Sequence, residues 1–133
     1  MSNEPTPKSA RGEPAVRTVP MPSDANANGD IFGGWVLSQM DIAGGMIAGR
    51  VAKGRVVTVA VDAMTFHRPI QIGDVVSIYG KVSKIGRTSI TVDLETIVER
   101  RLEPGEIKVT EGKYIFVAIN DKGESRPVSN EKS

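Results

Sequence analysis

One change of period constrains this chain more than any other feature of its sequence. From about Gly33 to Ala52, the apolar residues Val36, Met40, Ala43, Ile47 and Val51 recur at steps of three and four. That spacing builds one apolar face on a helix. After Gly54 the period becomes that of strands. "RVVTVAVDAMTFHRPI", "DVVSIYGKVSKIG", "RTSITVDLETIVER" and "GKYIFVAIND" are β-branched and roughly alternating, with turn signals at "QIGD", "IGR", "EPGE" and "DKG". Val16 to Met21 adds a short strand, confined to an edge because Pro20 and Pro22 cannot donate to a central ladder. One long helix followed by strands on short turns implies an α+β domain with antiparallel neighbours.

The helix contains Gly44, Gly45 and Gly49. Each costs roughly 1 kcal/mol against alanine. Such a cost predicts a very close approach to another backbone; the alternative is a helix that stops near Gly44. The near-continuous apolar character of Val56 to Val61 suggests that this strand pairs with a second copy of the chain. The 133 residues fit one domain, expected over residues 15–128. A flexible arm over residues 1–14 and a tail over residues 129–133 complete the expected division.

Several function classes fall away on composition. With no cysteine, thiolate chemistry and cysteine-based zinc sites are impossible. Lys and Arg are spread along a chain of net charge +1, which does not indicate nucleic-acid binding. Residues Ile31 to Val51 include Gln39, Asp41 and Arg50, a poor membrane span. "MSNEPTPKSARGEP" lacks the apolar core of a signal peptide, so a cytoplasmic setting is expected.

"SDANANGDIFGGWVLSQMD" opens like an EF-hand loop, with Asp24, Asn26 and Asn28 alternating before Gly29. Position twelve, which must supply a bidentate glutamate, is Trp35, and position nine is Phe32. The prolines upstream forbid an entering helix. No metal is expected here. The same residues suit Asx-turns that feed the helix, with Asp30 as its N-cap.

The remaining chemistry is sparse. His67 is the only histidine, and no G-x-S-x-G or phosphate-loop motif occurs. His67 sits beside Pro69 in "FHRPI", where a surface or satisfied structural histidine is the expected reading. "FGGW" puts Gly33 and Gly34 at the helix start, where unpaired amides can polarise a carbonyl oxygen. Two turns on, Asp41 lies at the margin of the apolar face. A carboxylate there can act as a general base or as a nucleophile. A capped or paired surface acid is the bland alternative.

Taken with "GRVVTVAVDAMTFHRPIQIGDVV" and "KIGRTSI", the stretch from Ser23 to Asp41 resembles the hotdog-fold acyl-CoA thioesterases, most closely those of the YciA type. The likeness runs from about Val16 to Pro127. It implies a five-stranded antiparallel sheet wrapped around one long helix, in dimers that commonly assemble into homohexamers with active sites at the dimer interface. It implies hydrolysis of fatty acyl-CoA to free acid and CoA. Asp41 would be base or nucleophile, and Asn26 would come from the opposite subunit. The Gly34 amide, in the same chain as Asp41, would polarise the thioester carbonyl. Gly33, Lys84, Gly86, Arg87, Thr88 and Ser89 would contact substrate or CoA; for "KIGRTS" the alternative is a plain hairpin turn. No cofactor is implied beyond the CoA of the substrate, and no role transfers to His67. A hotdog dehydratase and a non-catalytic acyl-CoA-binding module are the competing readings.

Overall fold

A computed structural model of the chain describes residues 3–129. A one-turn helix α1 (Lys8–Arg11) precedes strand β1 (Val16–Thr18) and a 3-10 turn at Pro22–Asp24. The long helix α2 (Gly33–Ala52) follows. Four long strands complete the chain: β2 (Val56–Phe66), β3 (Val75–Ile85), β4 (Ser89–Glu99) and β5 (Glu106–Ala118). They form one five-stranded antiparallel sheet in the order β1-β3-β4-β5-β2. This is the hotdog arrangement: the sheet curls around α2, which spans the same Gly33–Ala52 that its period indicates. No helix among the described residues is long and apolar enough to cross a membrane.

The core lies between α2 and the inner sheet face. Val36, Met40, Ala43 and Ala48 meet Ile78, Ile90, Val92, Leu94, Tyr114 and Phe116 there. Gly44 explains the cost of helix glycines. A Cβ on it would stand 2.8 and 2.9 Å from the Phe116 ring, well inside contact. The close approach is therefore to an aromatic ring of the sheet and not, as expected, to another backbone. The helix ends on Lys53 in the left-handed region (φ 54°), and the Arg126 guanidinium donates to the last-turn carbonyl of Ala52 at 2.8 Å. A cation there also meets the negative end of the helix dipole.

Four expectations from sequence need correction. Short turns predict that β2 pairs with β3, but β2 lies on β5 instead. The connection over residues 67–74 crosses the end of the sheet. Buried Ile70 accepts the Ile31 amide, and Arg100 holds Asp74 and the Pro69 carbonyl. Burying that isoleucine and satisfying those groups outweighs a hairpin. β5 also begins at Glu106, six residues before Gly112, because Val109 and Thr110 are buried and Thr110 pairs with Thr96 of β4 and Phe66 of β2.

Asp30 is not the helix N-cap. Phe32 holds that position without a side-chain cap, and Asp30 is tied into the loop by Asn26. The N-terminal arm, expected to be flexible, lies against the outer sheet face over the residues described. The Arg11 guanidinium pairs with Glu106 and stacks 4.5 Å from the centre of the Tyr79 ring. The Thr6 amide donates to Glu95 at 2.9 Å. Burying an arginine in an ion pair and over a ring gives the segment contacts that its composition hides. Residues 1, 2 and 130–133, the remainder of the expected arm and tail, lie outside the described residues.

Candidate active site

The loop before α2 is built from its own asparagine. Asn26 Oδ1 accepts from the amides of Asn28 (2.9 Å) and Asp30 (3.2 Å), while the Asn26 amide donates to the Asp30 carbonyl at 2.7 Å. Gly29 takes φ 87°, a conformation that glycine adopts at no cost. The Phe32 amide then donates to the Asp24 carbonyl at 3.0 Å and delivers the chain to the helix. With Oδ1 spent on the loop, the Asn26 side chain keeps only its Nδ2 donor for outside partners.

The helix start is open. The Trp35 and Val36 amides return to the Phe32 carbonyl at 3.0 and 3.4 Å. The amides of Gly33 and Gly34 have no partner among the described residues, as the first turn of a helix requires. Both residues are exposed, and a Cβ on Gly34 would meet nothing within 4 Å. The Phe66 ring flanks Gly33 at 3.7 Å from where its Cβ would be. The arrangement is a free pair of donors at the positive end of a 20-residue helix, beside an aromatic wall.

Asp41 lies half-buried two turns further on. The Thr58 hydroxyl of β2 donates to its Oδ1 at 2.5 Å, and Oδ2 has no partner among the described residues. From the other side, the Tyr114 hydroxyl of β5 donates to the Leu37 carbonyl at 2.7 Å. Leu37 precedes Asp41 by four residues, so the same carbonyl lies in the turn that carries Asp41. Burial, and then the negative charge of Asp41, push the Tyr114 phenol up to about 12. It therefore stays a neutral donor throughout the physiological range. Thr58 and Tyr114 were missed in the sequence. Their strands are legible there, but nothing in the spacing says which strand lies beside Asp41.

Helix geometry separates two residues that the resemblance had joined. Gly34 and Asp41 are seven residues apart, about 10.5 Å at 1.5 Å per residue. The Gly34 N–H also points away from Asp41, toward the helix start. The two groups thus stand at separate points along the helix. Asn26, in the loop feeding the helix, groups with Gly33 and Gly34, while Asp41 groups with Thr58 on the free edge of the sheet.

The β3–β4 turn is a third, separate cluster. The Gly86 amide donates to the Ser89 carbonyl at 2.8 Å, and a Cβ on Gly86 would meet Ser89 Oγ at 2.7 Å. Lys84 and Arg87 are exposed, and their side chains have no partner among the described residues. His67 lies elsewhere. On the outer face, its Nε2 is 2.9 Å from Glu111, whose other oxygen binds Lys108 at 2.6 Å. It is a satisfied structural histidine, remote from Asp41.

Comparison with known proteins identifies relatives of the chain. A profile described as "Thioesterase superfamily" matches residues 28–104. The acyl-CoA thioester hydrolase YciA of Salmonella typhimurium is 50% identical over 121 residues, covering 89% of this chain and 91% of that protein. The hexameric thioesterase of Yersinia pestis superposes with a TM-score of 0.85 at 48% identity, covering 90% of this chain and 98% of that one. A hexameric broad specificity acyl-coenzyme A thioesterase superposes at 0.84 and 46%, covering 92% and 84%. The chain thus belongs to the thioesterase superfamily, as a hotdog-fold acyl-CoA thioester hydrolase of the YciA type.

Proposed function

We propose that this enzyme hydrolyses fatty acyl-CoA in a site that two chains share: Asp41 and Thr58 come from one, Asn26, Gly33 and Gly34 from the other. The carrying observation is the Thr58–Asp41 hydrogen bond at 2.5 Å on an edge strand whose outer side is free. A second copy that paired with β2 in antiparallel register would run its helix the opposite way, and its open helix start would then face Asp41. The solved relatives described as hexameric support an assembly of such dimers into a hexamer. So does the exposure of Val57, Val59 and Val61 along this edge.

The chemistry follows from the groups. The thioester oxygen accepts from the Gly34 amide at the helix start, which holds the negative charge that develops there. The Nδ2 of Asn26 donates to the same oxygen or orients the water. Asp41, with Oδ1 held by Thr58, takes a proton from that water through Oδ2. The hydroxide adds to the carbonyl carbon, and the intermediate collapses to the fatty acid. The departing CoA sulfur receives the proton that Asp41 took. The Arg87 fork and Lys84 bind CoA phosphates, with Gly86, Thr88 and Ser89 shaping the turn. A solved aspartate-to-alanine variant of the broad specificity relative supports a central acid.

Thiol release from a panel of acyl-CoAs tests the reading. Asp41→Asn should lower kcat by at least about 100-fold, the scale of a lost general base, with the assembly intact. Wild-type turnover in Asp41→Asn would sink the assignment.

A further inference from the structure

We infer that Arg126, Pro127 and Val128 form a positioning clamp for the nucleotide end of the site, fixing the β3–β4 turn so that Arg87 meets a CoA phosphate. The inference rests on reading that turn as the CoA contact.

The turn tip has two main-chain carbonyls held from outside. The Ala118 amide, at the end of β5, donates to the Thr88 carbonyl at 2.9 Å. The Val128 amide donates to the Arg87 carbonyl at 2.8 Å. Val128 is no loose strand of tail, because its side chain is 6% exposed and joins the main core. The bond to Arg87 is thus made from an anchored residue. Arg126 supplies the other half of the clamp. Its amide donates to the Ala118 carbonyl at 2.9 Å. Its guanidinium donates to the carbonyls of Ile119 (3.2 Å), Pro127 (3.1 Å) and Ala52 (2.8 Å). This arginine spends its fork on main-chain oxygens and joins the end of α2, the end of β5 and the tail in one bonded unit.

Arg87 itself contributes only its main chain to this unit. Its side chain is exposed and has no partner among the described residues. A phosphate gains most from a guanidinium whose backbone is already fixed, because less ordering is charged to binding. Without the Val128 amide, the Arg87 carbonyl would lose its hydrogen bond from the tail, while the bonds at Thr88 and Ser89 would remain. Binding of the nucleotide would weaken, while the chemical step at Asp41, which makes no bond to the tail among the described residues, would not change.

The test compares an acyl-CoA with the matching S-acyl pantetheine, which carries the thioester without phosphate or adenosine. Val128→Pro removes the one N–H and adds no charge; Arg126→Gln releases the helix end while leaving that N–H in place. Both are assayed on the full chain after a check of melting temperature, beside Arg87→Ala. The clamp predicts that Val128→Pro raises KM for acyl-CoA about five-fold, the scale of one main-chain hydrogen bond. It predicts unchanged kcat and unchanged KM for acyl pantetheine, with Arg126→Gln moving the same way. An equal rise for both substrates would mean that the tail supports the fold alone, and would overturn the clamp. If Arg87→Ala raises KM for acyl-CoA and neither tail variant does, the clamp is wrong and the CoA reading stands. If Arg87→Ala changes neither substrate, the CoA reading of the turn is wrong and the clamp falls with it. Should Val128→Pro not fold, Arg126→Gln decides alone by the same readout.

Discussion

In the proposed mechanism, Asp41 owes its usefulness to what holds it. A carboxylate on a solvent-facing helix turn samples several rotamers, and the Thr58 hydroxyl at 2.5 Å selects one. Thr58→Val keeps the shape and removes the donor. Losing a hydrogen bond to a charged group should cost about ten-fold in kcat, with KM near its original value. The choice between base and nucleophile also belongs at this scale. If Asp41 activates water, a single turnover in 18O-labelled water places the label only in the fatty acid. If Asp41 attacks the thioester and water opens the anhydride at the Asp41 carbonyl, the label enters the Asp41 carboxylate. Label found there by mass spectrometry of the peptide containing Asp41 would establish the nucleophile route, and absence of label is the expected result.

Among the elements, α2 and the N-terminal arm make separate demands. Gly44 exists so that Phe116 can lie under the helix. Gly44→Ala would gain helix propensity of roughly 1 kcal/mol. It would also drive a methyl to within 2.9 Å of a buried ring. Overpacking of this kind costs roughly 1 to 3 kcal/mol, so a lower melting temperature is expected despite the better helix former. The arm makes a pH prediction. Its bond from Arg11 holds the Glu106 carboxyl below its usual value of 4.5. A group with a lowered native pKa stabilises the fold fully above its unfolded value, and that contribution is lost as pH falls through the native value. Arg11→Ala should therefore leave a flatter acid-unfolding curve below about pH 4.5 and lower stability at neutral pH. An unchanged slope in acid denaturation would contradict the pairing.

At the level of the whole molecule, the open flank of β2 is the decisive surface. It is an 11-residue edge strand with Val57, Val59 and Val61 between 41% and 55% exposed. Such an edge invites pairing with another chain. Val59→Lys, a charge at that edge, should reduce the particle mass seen by light scattering, and turnover should fall with it. A monomer that kept full activity would contradict a site divided between two chains.

The sequence by itself determined the class of fold and the chemical inventory. The period change near Gly54 marks the extent of the helix, because burial against a sheet demands its apolar face. The absence of cysteine and of a second histidine leaves carboxylate and amide chemistry, and "FGGW" with Asp41 is where the proposed site draws both. Only the tertiary structure decided which groups meet. Local turn signals say that β2 ends near Phe66, but not that the next strand lies three places away in the sheet. The burial of Ile70 and the Arg100–Asp74 pair make that choice through contacts distant in sequence. Thr58 and Tyr114 acquire their places beside Asp41 through the same strand order. The rise of a helix, 1.5 Å per residue, then separates Gly34 from Asp41 along one chain, and in the proposed site a second chain completes what the sequence writes as one continuous motif.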